Sequence, residues 1–342
     1  MIYVAADLHL RERTWKGHPE ISGDQYNAWA QLCITASKDP EGVVVLAGDI
    51  FDTPYPTGLD EAAFRMGIEM LKNKGLPCYF NPGNHDTEQD PRPCLFGALE
   101  LSENEPNKLP CGFSIAGIPF TRSTAALHEK LANIPAVDML VMHTGFRHLL
   151  GFEETWQVSI DDIPEQVGMV MAGHVHVHSE SEKVYSPGSL ALHRADEIDK
   201  GHGYFVVDPR TSEVTWKEVA TRRYVSVNID KGVDQDALGA LAACPDYNRP
   251  VVMLTYRNED TAKAEALQEL WKDKLLFVCN ARSGETMRAI EETVDDAVDI
   301  DAVVHDWLSG NLTREQFELA ESLLETQDPP GELNDILTRN KL

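Results

Sequence analysis

The stretch Val43-Val44-Val45-Leu46-Ala47-Gly48-Asp49-Ile50-Phe51-Asp52 decides the fold of this chain. Its first five residues are apolar and mostly β-branched, which predicts a buried strand of a parallel sheet. Parallel strands present their carboxyl ends to one crevice, so Asp49 is expected at the rim where ligands bind. A carboxylate in that position is able to bridge two metal ions about 3.5–4 Å apart.

Four further apolar runs lead into polar residues of the kinds that bind metal ions. They are 2–6 before Asp7-Leu8-His9, 78–80 before Gly83-Asn84-His85-Asp86, 139–142 before His143, and 169–172 before Gly173-His174-Val175-His176. Each motif alone is common in turns or solvated loops. Five strand ends that deliver such residues to one rim form a far more specific pattern, which predicts a shared site.

The five segments together supply seven candidate metal ligands. They are Asp7, His9, Asp49, Asn84, His143, His174 and His176. Carboxylate and amide oxygens mixed with imidazoles suit manganese, iron or zinc better than calcium or a site made of thiolates. His85 stays free for proton transfer, so the predicted chemistry is hydrolysis of a phosphate ester with two divalent metal ions.

The five motifs resemble those of the calcineurin-like metallophosphoesterases. The resemblance implies an α/β fold, a two-sheet sandwich flanked by helices. It implies one metal ion held by Asp7, His9, Asp49 and His176, and a second held by Asp49, Asn84, His143 and His174. It also implies that His85 is a catalytic histidine that binds no metal, with the Asp52 carboxylate as its partner.

One missing arginine and two matching strings narrow the branch of this superfamily. Its protein phosphatases carry arginine just after the position of Asp52, where this chain has Thr53-Pro54. The strings 48–53 and Ser186-Pro187-Gly188-Ser189 resemble the SbcD branch, whereas residues 190–200 fit that branch only loosely. The branch comprises DNA nuclease subunits of double-strand-break repair complexes, including bacteriophage relatives.

The SbcD resemblance carries further expectations about activity and partners. It implies a manganese-dependent exonuclease on duplex ends and endonuclease on single strands. The expected partners are DNA and a coiled-coil ABC ATPase of the SbcC type, and the expected oligomer is a homodimer.

The chain is expected to contain three parts. Residues 1–220 would form the nuclease domain, and residues 221–285 a small α/β cap domain with β-α-β-α-β order. Residues 286–342 would form a helical tail, because apolar residues recur at helical spacing in 300–308 and 313–324. By resemblance the cap shapes the DNA groove and the tail binds the ATPase. The alternatives are a purely structural appendage and a tail that packs on its own cap.

Charge argues against the DNA substrate and keeps other functions open. The chain has 30 basic and 56 acidic residues, a formal net charge of −26, whereas DNA-binding surfaces are normally basic. A nuclease would need a local basic strip, for which the candidates are Arg122, Arg147, Arg194, Arg222 and Arg223. The alternative is a phosphatase or cyclic-nucleotide phosphodiesterase of the same superfamily. A non-catalytic scaffold is disfavoured because every ligand and His85 are intact.

Cysteine usage and hydropathy predict a cytoplasmic protein. The six cysteines are scattered with no Cys-x-x-Cys pair, which favours reduced thiols over a disulfide framework. No stretch approaches the ~20 apolar residues of a membrane span. Met1 leads straight into the first predicted strand, so no signal peptide and no membrane association are expected.

Overall fold

The structure is a computed structural model that describes residues 1–15, 17–86, 92–147, 158–243 and 248–282. The strands in these ranges are β1 (Ile2–Ala5), β2 (Val43–Leu46), β3 (Cys78–Phe80), β4 (Leu99–Glu100), β5 (Asn107–Lys108), β6 (Ser114–Ile118), β7 (Val137–His143), β8 (Val167–Gly173), β9 (Ser179–Ser181), β10 (Val184–Ser186), β11 (Gly203–Val207), β12 (Val214–Glu218), β13 (Tyr224–Asn228), β14 (Val251–Arg257) and β15 (Leu276–Arg282). The α-helices are α1 (Asp24–Ala36), α2 (Gly58–Lys72), α3 (Arg92–Phe96), α4 (Thr124–Asn133), α5 (Gln235–Ala242) and α6 (Thr261–Trp271).

The first sheet has the strand order β12-β11-β1-β2-β3-β4. Its central pair, β1 and β2, is parallel, with Ile2 opposite Val43 and Ala5 opposite Leu46. On the other side of β1, strand β11 runs antiparallel and forms a hairpin with β12. The β-branched residues of β1 and β2 are buried, as expected for strands covered on both faces.

The second sheet has the order β5-β6-β7-β8-β10-β9. Strands β6, β7 and β8 are parallel neighbours, so that Ile118 lies opposite Met142 and His143 lies opposite Gly173. The last pairing brings the end of β7 beside the end of β8. Two of the predicted ligand segments are therefore adjacent because of sheet register alone.

The two sheets pack face to face around one apolar layer. Ile2 and Val4 of the first sheet pack there with Met139, Val141 and Met171 of the second. Side chains alternate across a strand, so the intervening residues of β1 face the opposite way, toward α1 and α2. A third apolar cluster covers the outer face of the second sheet beneath α4.

Local sequence explains where the helix α2 begins and ends. The Thr57 hydroxyl accepts from the Asp60 N–H and the Asp60 carboxylate accepts from the Thr57 N–H, which together satisfy two free donors of the first turn. The helix ends at Lys72, and Gly75 follows with a φ of +73°. Glycine favours that left-handed conformation, which ends the helical path of the chain just beyond α2.

A smaller three-stranded sheet, β13-β14-β15, follows the sandwich. Its core consists of Val252 and Leu254 of β14 with Leu238 of α5 and Ala264 and Leu267 of α6. The observed order β13-α5-β14-α6-β15 is the one that the alternation of apolar residues predicted.

The structure confirms the α/β sandwich flanked by helices. The described residues within Met1–Tyr256 and Asp260–Asn280 belong to one compact unit. The domain limits after residues 220 and 285 stay predictions, and the helices predicted within the tail lie outside the described residues. Among the helices that the structure describes, none is long and apolar enough to cross a membrane. Five of the six cysteines lie in the described residues, which do not include Cys244, and these five form no disulfide with one another.

Candidate metal centre

The predicted ligands lie where strands of the two sheets end. Asp7 and His9 follow β1, Asp49 follows β2, His143 is the last residue of β7 and His174 directly follows β8. The Asp49 carboxylate, from the first sheet, is 3.3 Å from the His143 imidazole, from the second. The carboxyl ends of both sets of strands therefore meet at one edge of the sandwich.

Backbone strain is concentrated in these segments. The φ angles are 50° at Asp7, 41° at His9, 50° at Asp49 and 90° at His174, a region that L-residues other than asparagine and aspartate rarely adopt. Such conformations cost about 1–3 kcal/mol each and cluster at functional sites. Among the described residues, the other non-glycine residues with positive φ are Glu182 and Ser212.

Two glycines allow the close approach of the ligand segments. A Cβ on Gly48, whose φ is +89°, would lie 2.2 Å from His143 Nδ1. A Cβ on Gly83 would lie 2.2 Å from the Asp49 carboxylate. Any larger residue at either position would push a predicted ligand out of place, which explains why both motifs begin with glycine.

One group of predicted ligands surrounds His176. Its Nε2 atom is 3.1 Å from His9 Nε2 and 3.7 Å from Asp7 Oδ1. His9 Nε2 is in turn 3.7 Å from Asp49 Oδ2. These four residues are the set that the family resemblance implies for the first metal ion.

The second group surrounds Asn84 Oδ1. This amide oxygen is 3.0 Å from His143 Nε2 and 3.0 Å from His174 Nδ1. Asp49 Oδ2 is 3.3 Å from His143 Nε2 and belongs to the first group as well. Asp49 thus contacts imidazoles of both groups, as the sequence predicted for a bridging carboxylate. The Asp7 carboxylate also reaches the second group, where it accepts from the His174 N–H at 3.1 Å.

The donor set fits divalent metal ions. Ligand atoms of Asp7, Asp49 and His143 lie within 4.8 Å of one another, as do those of His9, Asp49 and His85. Imidazole nitrogens and carboxylate and amide oxygens suit borderline divalent ions. His9 Nε2 and His176 Nε2 at 3.1 Å make a good hydrogen bond only if one of them carries a proton. If a metal cation lies between these two nitrogens, both imidazoles are able to stay neutral and bind it.

Burial and mutual charge perturb the pKa values of these groups. Burial opposes the charge of His143, but the Asp49 carboxylate outweighs it and raises the His143 pKa to about 9. Burial, and then the charge of His143, lowers the His174 pKa to about 3. Burial opposes ionisation of Asp49, but His143 and His9 outweigh it and lower the pKa of that carboxyl. Burial raises the pKa of Asp7. Such tightly coupled acids and imidazoles favour the exchange of protons for a metal ion.

His85 is oriented by two hydrogen bonds, one of which differs from the prediction. Its main-chain N–H donates to Asp49 Oδ1 at 2.8 Å. Its Nδ1 atom is 2.6 Å from the main-chain oxygen of Asp52. His85 therefore contacts Asp52 through its main-chain carbonyl and not through the carboxylate that the resemblance implies. The reason is local, because the Asp52 side chain turns toward Arg11 instead.

Asp86 closes the turn that carries Asn84 and His85. Its carboxylate accepts from the N–H groups of Gly83 at 2.9 Å and Ile50 at 3.3 Å. The turn of one ligand segment is thereby tied to the backbone that follows Asp49. The last residue of the Gly-Asn-His-Asp motif has a positioning role in this structure.

The sequence motifs did not indicate several side chains of the site, among them Arg11 and His193. Arg11 donates to Asp52 Oδ2 at 3.1 Å and to the His193 carbonyl at 2.8 Å. The His193 ring stacks on His9, with centroids 3.9 Å apart, and it forms a group of potential ligands with His9 and His176. Arg11 lies only two residues after His9, which is a signal in the sequence. His193 lies in the segment that fitted the resemblance loosely, so no motif indicated it.

The structure removes one candidate from the predicted basic strip. Arg222 is 4% exposed, and its Nε atom donates to the Asp24 carboxylate at 2.9 Å. A buried and paired guanidinium has no free face for a phosphate group. Arg122, Arg147, Arg194 and Arg223 are exposed.

Several known proteins are similar to this chain. The profile of the family described as calcineurin-like phosphoesterase matches residues 1–188. The chain is 22% identical to the DNA double-strand break repair protein Mre11 of Saccharolobus solfataricus, over 98% of this chain and 97% of that protein. It is 25% identical to the protein of the same name from Sulfurisphaera tokodaii, over 59% of this chain and 58% of that protein. A crystal structure of TT1561 of Thermus thermophilus covers 64% of this chain and 98% of its own, with 12% identity and a TM-score of 0.41.

Proposed function

This chain belongs to the calcineurin-like phosphoesterase family, and we propose that within this family it is a DNA nuclease of double-strand-break repair. The observation that carries the proposal is the length of the similarity to Mre11. It extends over 98% of this chain and so includes the three-stranded sheet beyond the phosphoesterase domain. A phosphoesterase that acts only on small molecules needs no such additional sheet.

The site residues of this proposal are those that converge at the edge of the sandwich. Asp7, His9, Asp49 and His176 would hold one divalent ion, and Asp49, Asn84, His143 and His174 a second. Manganese is the ion that we propose for both, because it accepts this mixture of oxygen and nitrogen ligands. The contacts of Asp49 with both groups support its role as the bridge.

The chain's own residues orient the substrate and move a proton. Bound metal ions supply charge neutralisation for the phosphate and lower the pKa of an attacking water molecule. The bond from His85 Nδ1 to the Asp52 carbonyl fixes the ring, so Nε2 is the atom that transfers a proton to the leaving oxygen. Arg11 keeps Asp52 in place and, together with nearby imidazoles, helps to lower the pKa of its carboxyl against the effect of burial.

The proposed partners follow from the same relationship. We infer that the chain works with a coiled-coil ATPase of the SbcC type, forms a homodimer, and cleaves duplex ends and single strands. The sequence of residues 286–342 supplies the proposed ATPase-binding tail. A partner with basic surface would also offset the net charge of −26 during DNA binding.

The alternative is a phosphatase or cyclic-nucleotide phosphodiesterase. The acidic composition favours it, because a small phosphate ester needs no extended basic surface. The two functions differ in the size of the substrate and not in the chemistry of the site.

Substrate choice tests the proposal directly. We expect the purified protein with Mn²⁺ to degrade linear duplex DNA, and Asp49→Ala to lose both this activity and bound metal. Turnover of bis-(p-nitrophenyl) phosphate reports on the same site without a DNA-binding surface. Rapid hydrolysis of the small ester with no cleavage of duplex or single-stranded DNA, even with the cognate ATPase and ATP, would establish the alternative. The exposed Arg65→Ala on α2 serves as a control for nonspecific effects of substitution.

A further inference from the structure

A buried carboxylate lies behind one of the proposed metal ligands. Glu197 is 3% exposed, and its Oε1 atom is 2.6 Å from His176 Nδ1. On the opposite side of the same ring, His176 Nε2 faces Asp7 and His9. We infer that Glu197 is a positioning residue that keeps the His176 proton on Nδ1, leaves Nε2 free for metal, and strengthens metal binding by that group. The inference rests on the ligand assignment of the proposed function.

The second oxygen of Glu197 is held as firmly as the first. Glu197 Oε2 accepts from the His193 N–H at 2.8 Å and from the Ser189 hydroxyl at 3.1 Å. Ser189 has a single hydroxyl proton, which it gives to Glu197, so the contact with His202 Nδ1 at 3.1 Å must be one that Ser189 accepts. Each group of this network therefore has a defined donor or acceptor role.

These roles determine the tautomer of His176. Both oxygens of an ionised carboxylate only accept hydrogen bonds, so His176 Nδ1 must be the donor of the 2.6 Å contact. The lone pair of Nε2 is then directed at the ligand group. Carboxylates that accept from metal-binding histidines fix the ring and raise its basicity, and their loss typically costs 10–100-fold in metal affinity.

The two ligand groups differ in the acceptor that contacts the Nδ1 atom of their histidines. In the second group, His143 Nδ1 is 2.8 Å from the carbonyl oxygen of Ala47, a neutral acceptor that also leaves Nε2 for metal. In the first group, Glu197 supports His176 at 2.6 Å, whereas the Asp52 carboxylate lies farther from its histidine, 3.4 Å from His9 Nδ1. Glu197 contacts a histidine of the first group, so its contribution should act on one metal position and not on both.

The substitution Glu197→Gln tests the positioning role while keeping the shape of the side chain. An amide has one oxygen, whereas the native carboxylate accepts on both sides. If the amide oxygen faces His176, the NH₂ group opposes the Ser189 and His193 donors. If it faces those donors, the NH₂ group opposes Nδ1–H and forces the His176 proton onto Nε2, the proposed ligand atom.

A second glutamate–histidine pair provides the matched control. Glu180 Oε1 is 3.0 Å from His178 Nε2, and its side chain is exposed. This pair lies two residues along the chain from His176 but contacts none of the proposed ligands in the described structure. Glu180→Gln removes the same charge and the same type of contact.

The experiment measures Mn²⁺ binding by equilibrium dialysis and the visible spectrum of the Co²⁺-substituted protein. We expect Glu197→Gln to lose about 10–100-fold in affinity at one of two positions, with unchanged binding at the other. Part of the cobalt spectrum should change. The melting temperature of the metal-free protein should fall modestly, because the amide opposes one buried donor, so the confinement of the affinity loss to one position marks the positioning role. Glu180→Gln should equal the wild type in all three measurements.

Several outcomes would overturn the positioning role. They are wild-type affinity at both positions, an unchanged cobalt spectrum, or equal loss at both positions with a lower melting temperature without metal. If Glu197→Gln does not fold, Ser189→Ala takes its place, and a few-fold loss confined to one position is the expected result. Wild-type protein that binds no Mn²⁺ would instead refute the proposed function itself, so the two failures are distinguishable.

Discussion

We propose that His85 transfers a proton in the reaction and does not bind metal. Its N–H donates to Asp49 and its Nδ1 contacts the Asp52 carbonyl, so both the backbone and the ring are fixed. We expect His85→Ala to retain the bound metal and to lose roughly 10²–10⁴-fold in rate, the range for general acid–base groups. Elemental analysis measures the bound metal, and initial rates on duplex DNA measure the loss of activity.

A remote histidine provides the control for that substitution. His128 is exposed on α4, where it pairs with Asp162, and His128→Ala should leave both metal content and rate unchanged. The assignment of His85 fails if its alanine variant loses a metal ion, or if it keeps nearly the full rate.

His143 should release a proton when metal binds. Burial opposes its charge, but Asp49 raises its pKa to about 9, so the metal-free protein carries a His143 imidazolium near neutral pH. Metal ions bind the neutral ring, and about one proton should leave this residue near pH 7. The raised pKa means that the release declines as the pH rises toward about 9.

Calorimetric titration with Mn²⁺ in buffers of different ionisation enthalpy measures this proton release. His174 has a pKa lowered to about 3, so it is already neutral and contributes nothing to the release. Release that is absent near neutral pH, or that grows with rising pH, would contradict the assignment of the proton to His143.

At the residue level, the motifs indicated the candidate metal ligands but not the side chains that contact those ligands from behind. The five strand ends carry their own signal, because an apolar run followed by a metal-binding residue is visible locally. Glu197 and His193 carry none, because each reaches the site only when the chain folds back over residues 189–197. Asp52 shows the remaining gap, since a motif names a residue but not which of its oxygens makes the contact.

Among the elements, α1 is joined by a buried ion pair to the segment just before β13. Arg222 donates to Asp24 at the start of α1 and to the carbonyl of Arg249 before β14, and the Tyr224 hydroxyl also donates to Asp24. Asp24 belongs to the predicted nuclease domain and Arg222 to the predicted cap. The pair therefore connects the sandwich to the three-stranded sheet.

Removal of one partner should destabilise this connection strongly. Arg222→Met leaves the Asp24 carboxylate buried without its counterion, which typically costs about 3–5 kcal/mol of the free energy of unfolding. Arg210→Met serves as the control, because Arg210 and Glu41 form an exposed pair 3.6 Å apart whose loss should cost less than about 1 kcal/mol. Urea unfolding of the three proteins gives the comparison.

The double variant Asp24→Asn with Arg222→Met sharpens the interpretation. It should be more stable than the sum of the single losses predicts, because neither charge is then left alone. Strictly additive losses would mean that the two side chains do not act as a pair.

The central elements were predictable from hydropathy, and the edge elements were not. Strands β2 and β3 lie where short apolar runs indicate them. The helix α6 lies where apolar residues recur at helical spacing, and its buried residues are Ala264 and Leu267. Strands β4, β5 and β9 were missed because they are two or three residues long and largely polar. They form because a neighbouring strand offers hydrogen bonds, which is information that lies outside their own sequence.

Across the whole molecule, the net charge of −26 is the strongest argument against a DNA substrate. The proposed nuclease must therefore bind DNA through a small number of local contacts. With Arg222 buried, the described candidates are Arg122, Arg147, Arg194 and Arg223. Arg194 follows His193, whose ring stacks on the predicted ligand His9, so it is the exposed arginine adjacent in sequence to the site.

Salt dependence separates a DNA nuclease from an esterase of small substrates and tests Arg194 in the same experiment. Each neutralised phosphate of duplex DNA releases counterions and adds about −0.9 to the slope of log affinity against log salt. DNA cleavage at fixed Mn²⁺ should therefore fall steeply with salt, whereas turnover of bis-(p-nitrophenyl) phosphate, which has one phosphate, should depend only weakly on salt.

Arg194→Ala should reduce the salt slope of DNA cleavage by about 1 without changing turnover of the small ester. Arg65→Ala, which alters another exposed arginine, on α2, should leave both slopes unchanged. Equal slopes for the two substrates would mean that DNA is bound only at the metal centre, and the acidic surface would then favour a small phosphate ester as the natural substrate.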